Sequence, residues 1–461
     1  MKKKKSITGK TNKINYQSVL LFILAIGIFC FVFAVPSNAK EKKISLSDAI
    51  NIALQNNNEI LAFKDSLSAQ KKNIGIARSY FFPNITFGET YMGTNNPVYV
   101  FMEKLNEQEF SASDFNINQL NHPGFRNDFQ TALSFDVPIF ARGINIRLAM
   151  AKKEFSTKQK EYTRIKETIT YNVIKAYLMV YTAKEYVGVA EKTLQDSEEH
   201  LKVAEARYKS GLGLYSDVLR ASTAVTEAKE GIINATTNVK IAERALGLLL
   251  GMSNSVDITN QYPEIYLKNI SYYTNEALSR SDIEALKLKY ENAKNNIRLI
   301  KSAYFPTVGL NGSYQMNDNS SPLGSEGNSW MLIVGLQWNW FSGTRRRQET
   351  QKAIYEVKEV KNYLSGFKKE AEYNVYKSYL NVNDAKEAII LAQSALKTAK
   401  EGERLVSISY ANGISPIVDL LDTQVNLDNA RANLVAKKNA YRLAIVKLSY
   451  ESGTILDDFY K

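Results

Sequence analysis

Few side chains in this 461-residue sequence are able to do covalent or metal chemistry: two histidines, His122 and His200, and one cysteine, Cys30. A structural or catalytic zinc needs several nitrogen, sulfur or carboxylate ligands brought to one point. His122 stands in a loop-like stretch and His200 among Glu198, Glu199 and Lys202 on a helical one, so neither has such a set. No glycine-rich phosphate loop and no nucleophile motif occurs. Paired acids are frequent, but at helical spacing they are ordinarily solvated faces. The expectation is a protein with no enzymatic activity, no cofactor and no metal.

The elements that would position any site begin after residue 39. Before it lie Lys2 to Lys5, Lys10 and Lys13 without an acid, then an uncharged apolar run from Val19 to Val35, then Pro36-Ser37-Asn38-Ala39. This order reads as an export signal cut after Ala39, with an uncleaved anchor as the alternative. Cys30 follows the bulky Phe29, which disfavours a lipoprotein site, and the mature chain is then free of cysteine. Disulfides and thiol chemistry are thereby excluded, which suits an oxidising compartment. Removing the leader lowers the net charge from +12 to about +6, too little for a nucleic-acid footprint. The one dense basic patch, Arg345-Arg346-Arg347, reads as a solvated face or as a helix start near a membrane interface.

The mature sequence is written twice. Tyr171-Asn172-Val173 returns as Tyr373-Asn374-Val375, and Tyr208, Gly211 and Asp217 return as Tyr410, Gly413 and Asp419, all shifted by 202 residues. A constant shift over that span means a duplicated structural unit. The layout is a signal over 1–39, a first repeat over 40–257, a linker over 258–274, a second repeat over 275–453 and a tail over 454–461. Each repeat reads helix, strand, loop, strand, very long helix, tight turn, helix.

Val173, Val180, Val187, Leu194, Leu201 and Tyr208 fall every seventh residue, interleaved with Ala176, Ala183, Ala190, Ser197 and Ala204. After Gly211-Leu212-Gly213 the rhythm resumes with Val218, Val225, Ile232, Val239 and Leu246. A sustained seven-residue repeat predicts a left-handed, antiparallel coiled-coil hairpin. The second copy is less regular, with Glu403 and Lys437 at seam positions. The long helix is expected over 144–209 and the return helix over 216–249; a helix over 47–79 would extend the return rod by stacking end to end.

Other segments have period two. Phe129, Thr131, Leu133, Phe135, Val137 and Ile139 form one series, and Trp330, Leu332, Val334, Leu336, Trp338 and Trp340 another, with shorter partners around Ile85 to Tyr91 and Val308 to Tyr314. Aromatic-ended alternation suits a membrane-spanning barrel strand, and equally a soluble hairpin packed on a helix. Four strands cannot close a barrel, and an open edge cannot stand in lipid. A membrane reading therefore requires several chains; three would supply twelve strands.

The duplicated order, the heptad hairpins, the opening Ile44-Ser45-Leu46-Ser47-Asp48-Ala49-Ile50 and the turn Gly413-Ile414-Ser415-Pro416-Ile417-Val418-Asp419-Leu420-Leu421-Asp422 resemble the outer membrane efflux protein family, the TolC-like exit ducts. The resemblance covers nearly all of the mature chain. It implies a mainly α fold with a transmembrane β-barrel, in which coiled-coil hairpins form an α-barrel and four strands per chain complete a trimeric 12-stranded barrel. It also implies an outer membrane channel extending into the periplasm, serving a tripartite efflux or type I secretion system. The implied partners are further copies of the chain, a periplasmic adaptor, an inner-membrane pump of RND or ABC type and outer membrane lipid, with no nucleic acid.

By match to the family, Asp419 and Asp422 line the constriction, where threefold copies would form negative rings; alternatively Asp419 caps its helix and Asp422 is a solvated acid. Tyr410 and Asp217 match two members of the family's closing links. The arginine's place is Ser415 here, and Arg220, one turn from Asp217, is the substitute expected. Gly211 to Leu214, with Leu212 and Gly213 between, and Gly413-Ile414-Ser415 are the expected adaptor-docking tips. A periplasmic adaptor or a membrane-anchored coiled-coil scaffold without a channel are the competing readings.

Overall fold

A computed structural model describes residues 43–259, 261–263 and 265–460; the leader and its expected cut at Ala39 lie outside the described residues. The first copy runs α1 (Leu46–Asn56), α2 (Asn58–Ser79), β1 (Asn84–Thr94), α3 (Pro97–Asn106), α4 (Ile117–Asn121), β2 (Arg126–Phe140), α5 (Arg142–Lys209) and α6 (Tyr215–Leu249). The second runs α7 (Ile270–Leu278), α8 (Ser281–Ser302), β3 (Thr307–Asp318), β4 (Gly327–Gln337), α9 (Arg345–Ala411) and α10 (Ile417–Ser452), followed by α11 (Ile455–Phe459).

With 68 residues α5 is about 100 Å long at 1.5 Å per residue. The heptads become its seams: Val173, Ala176, Val180 and Ala204 of α5 are buried, as are Ala221, Val225, Ala228, Ala242 and Leu246 of α6. Four rods lie side by side. On the strand side α2 packs on α5, α5 on α8 and α8 on α9; on the turn side α6 packs on α5, α5 on α10 and α10 on α9. Rods α5 and α9 are continuous, whereas the other two are each assembled from a pair of helices.

The helix expected over 47–79 is in fact two, because Asn57 takes an extended conformation. Its side chain accepts from Glu59 N–H at 2.9 Å and donates to the Leu249 carbonyl at 2.8 Å, so one residue caps α2 and holds the end of α6. The second copy solves the same joint with charge: Arg280 donates to the Glu451 carbonyl at 2.8 Å near the end of α10 and pairs with Asp282 at 2.8 Å. Around these joints lies the main core, built on Ile169 to Val180 of α5 with Ala49, Ile50, Leu246, Leu250 and Ile258. Residues 258–274 enter this core at Ile258 and become helical at Ile270, while Ile455 and Phe459, after residue 453, are buried in it.

The four strands form one antiparallel sheet in the order β1-β2-β3-β4. Register gives each face a continuous chemistry. Phe87, Leu133, Tyr314 and Trp330 align across one face, and Ile85, Phe135, Gly312 and Leu332 beside them. A Cβ on Gly312 would collide with the Phe135 ring, so glycine there is what admits the aromatic side chain. The other face aligns Gly88, Ala132, Gln315 and Ser329, then Thr86, Ser134, Ser313 and Met331. β1 and β4, at 11 residues each, match the length a tilted strand needs to cross a bilayer, and β3 with 12 and β2 with 15 extend beyond it. The series expected to run through Trp340 stops at Gln337; Trp338 turns to donate to the Tyr304 carbonyl at 3.1 Å and stacks edge-on with Trp340. Arg346, expected on a solvated patch, is buried over the Tyr304 ring, while Arg345 and Arg347 are exposed. Among the described residues no helix is long and apolar enough to cross a membrane.

Opposite the rods, the long loop between β1 and β2 folds into α3, a 3-10 turn and α4. Glu103 of α3 is buried there; burial, with Asp128 and Glu107 beside it, pushes its carboxyl up to about 7.

Candidate functional site at the hairpin tips

Both long helices end in the same way. Gly211 and Gly413 have φ of +76° and +77°, a conformation glycine adopts without strain. Leu212 N–H then donates to the Arg207 carbonyl at 2.9 Å, and Ile414 N–H to the Ser409 carbonyl at 2.9 Å. These are paired Schellman closures, in which the residue after the glycine satisfies a carbonyl of the last turn. They leave apolar side chains at the extremity: Leu212, Leu214 and Ile414 are about three-quarters exposed or nearly so.

Just inside the tips, Ala204, Ala221, Tyr410, Ile417 and Leu420 pack into a small separate core joining the two hairpins. Tyr410 is fully buried and its hydroxyl has no hydrogen-bond partner among the described residues. The Arg207 guanidinium lies 4.8 Å from its ring centre, donates to the Leu212 carbonyl at 3.0 Å and keeps Nε and Nη1 buried without a partner. Burial and the nearby Asp217 charge raise the Tyr410 pKa, against Arg207, which lowers it. The structure thus brings Tyr410, Asp217 and Arg207 together. Arg220 instead faces the groove between α6 and α10, beside Thr223, Glu227 and Asp428. Sequence reasoning missed Arg207; the signal was its place directly before Tyr208, the residue matched to Tyr410 by the duplication.

Asp419 and Asp422 are both exposed, on the face of α10 away from the buried Leu420, Gln424 and Leu427. Asp419 stands in the first turn, and no side chain caps this helix. Deeper along the rods is a polar cluster that the sequence showed only as an irregular seam. His200, 5% exposed, lies 3.1 Å from Gln424 and 3.3 Å from Glu403. Gln424 donates to Asp196 and Asp428, and Arg431 pairs with the same two acids at 2.6 and 3.1 Å. Burial raises the Glu403 pKa, opposed by His200 and Arg431 and reinforced by Asp196 and Glu199.

Coiled-coil hairpins joined to a two-faced sheet, with a buried aromatic and charged cluster at the turns, define a membrane duct with a long helical extension. The chain matches the family described as outer membrane efflux protein over residues 49–252 and 273–453, and it belongs to that family. It is 22% identical to the outer membrane protein TolC of Escherichia coli K12 over 448 residues, 89% of this chain and 84% of the relative. Against the outer membrane protein TolC of Vibrio cholerae it is 21% identical over 355 residues, 75% of this chain and 81% of the relative. Its fold matches the open state of the Neisseria gonorrhoeae MtrE outer membrane channel with a TM-score of 0.72 at 18% identity, covering 90% of each chain. The protein is an outer membrane efflux channel component that extends into the periplasm, and the adaptor and scaffold readings are set aside.

Proposed function

We propose that three copies assemble into a closed duct whose tip cluster is its gate. The observation that carries this reading is the pair of open flanks. Among the described residues β1 and β4 have no neighbour on their outer edges, and the rods continuing from them, α2 with α6 and α9, are the two outer rods of the slab. Unpaired backbone cannot stand in lipid, so closure by further chains satisfies the sheet and the rods together. Three chains give twelve strands and twelve rods.

In this duct Tyr410, Asp217 and Arg207 hold neighbouring tips together, with Arg207 in the role expected of Arg220. The partnerless Nε and Nη1 of Arg207 and the Tyr410 hydroxyl are buried inside each copy, so the cluster ties together the two hairpin tips of that copy. Asp419 and Asp422 form two negative rings at the constriction that concentrate cations and repel anions. Leu212, Leu214 and Ile414 offer apolar contacts to a periplasmic adaptor, and an inner-membrane pump loads the duct. The duct itself performs no catalysis.

The test is the mass of the detergent-purified mature protein and its conductance in planar bilayers. A trimer with low conductance is expected. Asp419→Ala with Asp422→Ala should raise conductance and weaken cation selectivity; Arg207→Ala should raise conductance severalfold, and Arg220→Ala much less. A monomer without conductance sinks the duct, and a silent Arg207→Ala variant sinks the assignment of the gate.

A further inference from the structure

At the end of the sheet away from the rods, the loops 95–125 and 319–326 meet through carboxylates. Glu107, just after α3, is 1% exposed, whereas Glu109 and Glu326 are exposed. One carboxylate oxygen from each of the three lies within 4.8 Å of the other two. Asn319 bridges the loops, its backbone N–H donating to Glu326 at 3.2 Å and its side-chain amide to Glu109 at 3.1 Å. Arg126 is the cation found among them, paired with Glu107 and Glu109.

That pairing leaves a remainder. Glu107 gives one oxygen to Arg126, but its Oε1 is buried with no hydrogen-bond partner. One helical turn earlier Glu103, also 1% exposed, has neither oxygen partnered. A buried carboxylate oxygen is ordinarily paired or bound to a metal. Three carboxylates against one guanidinium leave two negative charges, which a single divalent cation neutralises.

We propose that Glu107, Glu109 and Glu326 form a divalent-cation site of the calcium class that clasps the two outer loops of one protomer. The donors are all hard oxygens, with no imidazole or thiolate in the group, which selects against zinc and copper. Calcium binds oxygen at 2.3–2.6 Å in irregular shells, so two oxygens on one ion are never more than about 5 Å apart. The observed spacing meets that limit. Magnesium demands shorter bonds and a near-ideal octahedron, which two exposed loop acids and one helix-end acid do not preform. Water completes the shell at the exposed side. The site stands at the opposite end of the molecule from the gate and does not depend on it.

The test is calorimetric titration of the detergent-purified, chelator-stripped protein with CaCl2, and separately with MgCl2. One saturable Ca2+ per chain is expected, with affinity falling roughly tenfold or more in Glu109→Gln and in Glu326→Gln, because fewer charged ligands remain. Both positions are exposed, so retained oligomer mass in each variant confirms folding. Protease cleavage within 95–125 should slow when Ca2+ is added to the parent protein. No saturable uptake by the parent, or an isotherm unchanged in both variants, overturns the site. Mg2+ binding as tightly as Ca2+ overturns the assignment of the cation.

Discussion

Glu403 shows what a single residue does to a coiled-coil seam. Its neighbours across the packed helices are His200, Asp196 and Glu199 of α5 and Arg431 of α10. Burial is the largest effect and raises its pKa, so the folded chain holds the Glu403 proton more tightly than the unfolded chain does. The linkage sign follows: its contribution is fully present below the ordinary carboxylate range and is lost as pH rises through the raised folded value. Glu403→Gln should therefore raise the thermal midpoint at pH well above the ordinary carboxylate range and flatten the decline in stability as pH rises through that range. Identical melting profiles for parent and variant across that range would show that solvent or His200 already neutralises the charge. The sequence exposed Glu403 as a break in the heptad, but not what it faced, because His200 comes from the other hairpin and Gln424 and Arg431 from the return helix of its own, and none shares a local pattern with it.

Among elements, the joint at Asn57 decides how a rod of two helices behaves. The residue caps α2 through Glu59 N–H and ties the last turn of α6 through the Leu249 carbonyl. Asn57→Ala removes both bonds and should cost about 1–2 kcal/mol, the scale of a lost N-cap, read as a lower midpoint in thermal unfolding. Asn57→Asp, which keeps the cap but cannot donate to Leu249, separates the two contributions; equal midpoints for parent and Asn57→Ala would mean the joint is held by apolar packing alone. Long heptads were legible because seven-residue spacing survives local irregularity, and the seam burial of α5 and α6 follows it. The break at Asn57 was not, because the apolar spacing of Leu46 to Ile60 runs through it and nothing local distinguishes a capping asparagine from one on a solvated face. Likewise, the loop between β1 and β2 reads as polar, yet Glu103 and Glu107 are buried in it, a tertiary effect without a periodic signature.

For the whole molecule, closure is the question, and the two flanks answer it differently from the interior. β2 and β3 are paired on both sides, whereas β1 and β4 each offer one free edge. Thr90→Cys in β1 combined with Ser329→Cys in β4, treated with a short bismaleimide, should give covalent dimers and trimers on denaturing gels. The single natural cysteine, Cys30, lies in the expected leader, so background is low. A ladder that stops at monomer under conditions where the purified species has trimeric mass would mean that the edges close in another way. The chain's duplication and two-faced strands made this geometry legible, while the position of each rod relative to its neighbour came only from packing.

The two glycine closures carry a consequence for stoichiometry. Gly211 and Gly413 give the two hairpins the same backbone end, but one is followed by Leu212 and preceded by Arg207, the other by Ile414 and Ser409. In a three-chain assembly a visiting protein then meets six tips of one shape and two alternating chemistries. A ring of six identical subunits would fit them by outline, yet every second subunit would sit in a different environment, so occupancy would fill in two classes of three.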